Sequence, residues 1–212
     1  MGIYVGVLFG YLAGGWINEF FGWRKAFFVV GLPGFALALI VRFTVREPSR
    51  GQSEGSVGAE APEPWQQVFG FLWSLRSFRH LAFAAGLHAF SGYGFAQWAP
   101  TFLRRVHELG SGEVGTWLGL IIGFGGVLGA PLGGWLADRF GQGDRRWYAW
   151  VPALSAVAGV PFVVGFLLCD SLTLALLLYF PGVVLSAMYL GPVLAIIQAM
   201  VKLHMRAMAS AA

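Results

Sequence analysis

Charge is scarce in this sequence. Asp, Glu, Lys and Arg make up 11% of its 212 residues, against roughly 25% in an ordinary soluble domain, and so thin a supply cannot solvate a globule of this length. Cysteine is nearly absent: Cys169 stands alone, which excludes an internal disulfide and leaves the redox compartment undecided. The signatures of enzymes are missing too. His80, His88, His107 and His204 are dispersed without an H-x-x-x-H spacing, so no metal site is expected. Neither a glycine-rich phosphate loop with its lysine nor a G-x-S-x-G nucleophile turn occurs, so no catalytic residue and no cofactor are expected. The net charge of +4 does not point to nucleic acid, because its carriers sit in short segments between apolar runs.

Apolar residues are what the chain has, at 57%. They fall into runs that match the roughly 20 residues needed to cross a bilayer as a helix. Spans are expected at Gly2–Phe21, Ala26–Val45, His80–Leu103, Gly115–Ala137, Tyr148–Leu168 and Leu172–Val201. Backbone polar groups in hydrocarbon must be satisfied within the segment, so the spans are helices. The expected fold class is an all-α, polytopic membrane protein with six transmembrane helices. The first run lacks the basic leader and small-residue cleavage site of a secretory signal. If it runs from inside to outside, ten of the fourteen basic residues face the cytoplasm, and only Arg24, Lys25, Arg104 and Arg105 lie outside. That asymmetry sets the orientation and puts both chain ends in the cytoplasm. A multi-pass protein of a bacterial inner (plasma) membrane is the expectation, with the lipid bilayer as its first partner.

One line is more specific than composition. Gly134-Trp135-Leu136-Ala137-Asp138-Arg139-Phe140-Gly141, followed by Arg145-Arg146, closes the fourth span with a tight turn carrying one acid and several arginines. It has an echo. Gly10 to Gly22 aligns without gaps onto Gly129 to Gly141, with six of thirteen positions identical and Glu19 opposite Asp138. The copies end spans one and four, an odd number of crossings apart, which is the pattern of an inverted-topology repeat. Both spans also carry glycines four apart: Gly2, Gly6, Gly10 and Gly14 in the first, then Gly115, Gly119, Gly123 and Gly125, Gly129, Gly133 in the fourth. A step of four keeps each ladder on one helix face and lets backbones approach closely. Fixed helix packing and a moving interface are both compatible with such ladders.

The turn resembles the G-x-L-A-D-R-x-G-(R/K)-(R/K) loop signature of the major facilitator superfamily, departing from it at Trp135 and where Gln142-Gly143-Asp144 displaces the basic pair. Over its length the chain is similar to spans five to ten of a twelve-span carrier. Its likeness to the spinster-like branch rests on Gly15 to Phe27 with Val30 to Gly34 and Arg46-Glu47-Pro48, on Trp98 to Arg104, and on Leu190-Gly191-Pro192 with Ile197-Gln198 and Arg206 to Ala211. That resemblance implies residues 1–46 as the last two helices of an N-terminal half, 47–79 as a cytoplasmic linker, and 80–212 as the first four helices of a C-terminal half. The linker reading has its own support. Residues 48–64 are rich in Gly, Ser and Pro, and Trp65, Val68, Phe69, Leu72, Trp73 and Leu75 then recur at the spacing of an interfacial helix.

On this placement spans one and four pack against each other, with Gly6, Gly10 and Gly14 facing Gly125, Gly129 and Gly133. Asp138 is expected near the N-terminus of the first span, where the helix dipole favours an acid by roughly 0.3–1 kcal/mol. With Gly134, Arg139, Gly141, Arg145 and Arg146 it would form a conformational latch. The basic residues alternatively serve only to anchor the loop.

No charge lies at mid-depth of a span, so polar side chains are the substrate-path candidates. In the third span His88 and Ser91 share one face, and Tyr93 and Gln97 nearly the opposite one. The superfamily resemblance favours His88, Ser91, Phe95 and Trp98, joined by Tyr189 and Gln198 from the sixth span, where Gly191-Pro192 is expected to kink the helix.

The implied function is a secondary carrier, not an enzyme. It would move a small amphipathic, lysolipid-like solute by alternating access, with protons as a coupling ion. Another organic anion or a sugar-like solute is the alternative within the superfamily, and a non-transporting scaffold or truncated product the alternative outside it. Since the first residue already starts a span and the last stops in a turn, a partial chain is expected.

Overall fold

The computed structural model describes residues 2–45 and 64–201. Every regular element among them is a helix: α1 Gly2–Phe21, α2 Trp23–Thr44, α3 Trp65–Ser74, α4 Arg76–Val106, α5 Ser111–Gly141, α6 Trp147–Leu168, α7 Leu172–Ala187 and α8 Leu190–Met200. The expected spans correspond to α1, α2, α4, α5, α6 and the α7–α8 pair. Among the described residues, four stretches are both long and apolar enough to cross a membrane: Trp23–Thr44, Ser111–Gly141, Trp147–Leu168 and Leu172–Met200. Polar content sets α1 and α4 apart from those four. The first carries Asn18 and Glu19, and α4 carries His80, His88, Ser91 and Gln97 along its length.

The sixth expected span divides at Met188-Tyr189. The cause is Pro192, which has no N–H to give the ladder and whose ring clashes with the carbonyl four residues back, at Met188. The Gly191-Pro192 kink read from the sequence is thus a break between two helices.

Antiparallel to α5, α1 runs along its first half; α7 and α8 cover its second half. The α5 glycines serve both neighbours. A Cβ at Gly115 would meet the Tyr11 carbonyl oxygen and one at Gly123 would stand 2.7 Å from Leu8 Cβ, while Cβ atoms at Gly129 and Gly133 would meet the Val184 and Met188 carbonyl oxygens. The ladder of α1 behaves otherwise. Gly6, Gly10 and Gly14 have nothing within 4 Å of where a Cβ would stand. The two ladders therefore do not face each other, and α1 meets α5 with Tyr4, Leu8, Tyr11 and Gly15. At 100° per residue that set lies on the side of α1 opposite its ladder.

Phe166, fully buried, centres the main core and stacks among Phe95, Phe102 and Tyr179 at 4.8 to 5.6 Å between ring centroids. On α3 the apolar positions divide: Val68 and Leu72 are buried against Phe78 and Val201, whereas Trp65, Phe69 and Trp73 are exposed. The helix ties the start of α4 to the end of α8 and presents an aromatic face outward, as an interfacial helix does. No residue of α2 is buried, and its Phe27 and Phe43 are 76% and 81% exposed, an apolar surface suited to lipid rather than water.

A single residue joins α1 to α2. Gly22 has φ 84° and ψ 161°, a region open essentially to glycine. Gly22→Ala is expected to lower stability by about 1–3 kcal/mol, read as a shift in the midpoint of detergent-induced unfolding of the purified protein.

Candidate functional site

A cavity of about 360 Å³ lies between α4 and α7, closed on one side by α1. His88, Ser91, Tyr93 and Phe95 of α4 line it, with Tyr179 and Ser186 of α7, Tyr189 at the break, and Tyr4 of α1. The wall is aromatic and hydroxyl-bearing, and among the described residues that line it none is Asp, Glu, Lys or Arg. Four of the six substrate-path candidates, His88, Ser91, Phe95 and Tyr189, meet here. Trp98 and Gln198 do not: Trp98 is 69% exposed and lies off the wall, and Gln198 is exposed on α8. Tyr93 does contribute, although it lies nearly opposite His88 and Ser91 on the helical wheel. The lined arc of α4 is wide, and the long phenol reaches its edge.

Tyr4, Tyr179 and Ser186 were not legible as site residues. Only the packing of α1 and α7 around α4 brings them to this wall.

A second cavity of about 400 Å³ lies beyond the first, between α4, α6 and α8. His88 and Tyr189 line both, and their rings stand 3.9 Å apart between centroids at 41°. This pair is the partition between the two spaces. The second cavity is lined mostly by apolar side chains, with Ser77, His80 and Tyr148 as its polar members beyond that pair.

Tyr148 leads to the turn read as a latch. Its hydroxyl donates to Asp138 Oδ1 at 2.7 Å, and the ring fits because Gly141 has no side chain: a Cβ there would stand 2.6 Å from Cε2. Asp144 Oδ1 accepts the Arg146 N–H at 2.9 Å and folds the turn. Arg139, Arg145 and Arg146 are exposed, and Gly134 has nothing within 4 Å of a built Cβ. The acid is not at the N-terminus of α1. Tyr4 packs on Gly126, and Asp138 lies about 18 Å further along α5 at 1.5 Å per residue.

The other end of the α1–α5 pair is closed. Trp16 Nε1 donates to Thr116 Oγ1 at 2.9 Å, Asn18 Nδ2 to Ser111 Oγ at 3.2 Å, and the Gly112 N–H to Glu19 Oε2 at 2.5 Å. Each of these α1 side chains reaches the first turns of α5. The sequence signal for them was the echo alone, in which Glu19 pairs with Asp138.

Comparison with known proteins gives a consistent result. The family model for the Major Facilitator Superfamily matches residues 1–212. An MFS-type efflux pump of Mycolicibacterium smegmatis is 32% identical over 203 residues, 94% of this chain and 46% of that protein. A cis,cis-muconate transport protein of Acinetobacter baylyi is 26% identical over 185 residues, 82% of this chain and 42% of that protein. Among solved structures, a bacterial homologue of the human lysosomal transporter Spinster, in an inward-facing and unoccupied conformation, is similar with TM-score 0.75 and 28% identity, over 97% of this chain and 48% of that one. The chain thus spans about half the length of these relatives.

Proposed function

The chain belongs to the Major Facilitator Superfamily, and from that premise we propose that it supplies half of a secondary carrier that moves an amphipathic, lysolipid-like solute by alternating access. The observation that carries this reading is the cavity between α4 and α7, whose wall, among the described residues, mixes aromatic faces with hydroxyls and one imidazole but no charged side chain. A pocket of that kind holds apolar chains and orients a polar group by a few hydrogen bonds. A small dicarboxylate would call for an Arg or Lys in the wall, so the organic-anion alternative draws its support from the likeness to the muconate carrier instead.

The inner end of the carrier is the Asp138 end, by the excess of basic residues there. Residues 1–46 then belong to one half of the carrier and 80–212 to the other, joined by 47–79, of which 47–63 lie outside the described residues. Asp138, Arg139, Arg145 and Arg146, with Gly134 and Gly141, form the inner latch, which is released in this conformation. The likeness to an inward-facing relative supports that assignment.

The test is transport by the full protein in proteoliposomes, with a fluorescent lysophosphatidylethanolamine and radiolabelled muconate as probes and an imposed pH gradient. Lysolipid movement that collapses with the gradient is expected. Muconate movement alone would favour the anion carrier, and movement of neither leaves the scaffold reading. In the same assay His88→Ala and Tyr189→Ala should each lower the lysolipid rate about tenfold, the loss of one or two good polar or stacking contacts. Trp98→Ala and Gln198→Ala, whose side chains lie off the cavity wall, should leave it within about twofold.

A further inference from the structure

We propose that Glu19 is an outer latch, the counterpart of Asp138 at the opposite end of the same helix pair, and that it holds the outer side shut by capping the N-terminus of α5. The first N–H groups of a helix have no partner within it, and the aligned peptide dipoles make that end favourable for an anion. In α5 two carboxylates answer this need. Glu113 Oε2 accepts the Gly110 N–H at 3.0 Å from within the helix, and Glu19 Oε2 accepts the Gly112 N–H from across the interface. Glu113 stays with α5 whatever α1 does. Glu19 can cap α5 only while the two helices touch.

Its neighbours fit the same role. Trp16 and Asn18 add two side-chain bonds to the first turns of α5. Between them Gly15 and Gly115 bring the backbones together, with Gly115 Cα 2.9 Å from where a Gly15 Cβ would stand. These polar bonds lie over a close glycine contact at this end of the pair, beyond the seam in which Tyr4 and Leu8 fill the spaces at Gly126 and Gly123.

The echo adds a second line of argument. Glu19 occupies in Gly10 to Gly22 the place Asp138 occupies in Gly129 to Gly141. The two acids sit at opposite ends of an antiparallel pair, α5 alone being about 46 Å long at 1.5 Å per residue. In this structure Glu19 is bound across the pair, while Asp138 is turned to Tyr148 and is far from α1. When the pair rocks so that the inner ends meet, Glu19 must let go. The acids would then act in alternation, one per conformation.

This rests on the carrier reading, and its test separates the two. In the full chain with native cysteines replaced, spin labels at Lys25→Cys and Arg105→Cys sit at the outer ends of the two halves, and their separation is measured by double electron–electron resonance. Glu19→Ala should raise the ratio of long to short distances about tenfold, the worth of one charge-assisted hydrogen bond, and Glu19→Gln should fall between it and the parent. Gly115→Ala, with Glu19 intact, should lengthen the distance by steric force and shows that the assay reads opening. An unchanged distribution in Glu19→Ala beside a lengthened one in Gly115→Ala overturns the latch. A chain that shows the Glu19-dependent shift but carries neither lysolipid nor muconate overturns the lysolipid and organic-anion readings and leaves the latch standing.

Discussion

Gly133→Val is expected to lose about 3 kcal/mol of stability or more, and with it most of the folded protein recovered from membranes. A Cβ at this position would collide with the Met188 carbonyl oxygen and stand 2.6 Å from Met188 Cα. Those are main-chain atoms, so no side-chain rotation relieves the overlap. The backbone has little freedom to retreat, because Met188 is held between α7 and the proline-fixed start of α8 and packs in a cluster with Ala137 and Val151. Overpacking of a close-fitted site typically costs 1–3 kcal/mol, and more where the clash is with backbone. The adjacent substitution is the control. A Cβ at Gly134 meets nothing within 4 Å, so Gly134→Val should shift the unfolding midpoint by about 0.5 kcal/mol or less. Equal losses at the two positions would contradict the packing of α5 on α7 and α8.

That contrast also marks what the sequence alone conveys. Periodicity and run length locate the helices, most plainly the four whose apolar runs are long enough to cross a membrane, while α1 and α4 are more polar. Glycines four apart identify close-packed faces, and on α5 both sets are such faces. Which neighbour each face meets is a different matter. The ladder of α1 has the same spacing as those of α5, yet Gly6, Gly10 and Gly14 are open and the contact is made by Tyr4, Leu8, Tyr11 and Gly15. A repeat of small residues records that something may approach closely; it does not name what. The cavity shows the same limit. His88, Ser91 and Phe95 are readable from one helical wheel, but the wall is completed by Tyr4, Tyr179 and Ser186 from other helices, and no local pattern distinguishes those from core residues. Trp98 falls within about 20° of Ser91 on the wheel, yet it is 69% exposed and lies off the wall. Glu19 is legible as one position in an echo, but its bond from the Gly112 N–H depends on α1 packing against the first turn of α5.

Asp138→Asn in the full protein is expected to slow transport at least about tenfold while leaving yield and unfolding midpoint unchanged. The argument follows from where the acid is and where it must go. In this structure Asp138 accepts the Tyr148 hydroxyl at 2.7 Å on an exposed turn, so its loss costs the fold little. In the alternating-access cycle proposed above, the inner ends of α1 and α5 would close in the outward-facing state and bring the acid to the N-terminus of α1. There its charge, not its shape, is what the helix dipole favours. Asparagine keeps the shape and removes the charge, which lowers the population of one of the two states a carrier must visit and slows the cycle. Tyr148→Phe should act in the opposite sense. It frees Asp138 from its inward-facing partner without touching the charge, so it should raise the outward-facing population by about threefold, the worth of one exposed hydrogen bond. Labels at the outer ends would report the two variants as shifts of opposite sign. A fully active Asp138→Asn would sink the inner latch, and shifts of the same sign in both variants would show that Tyr148 and Asp138 work as one structural unit rather than as a switch.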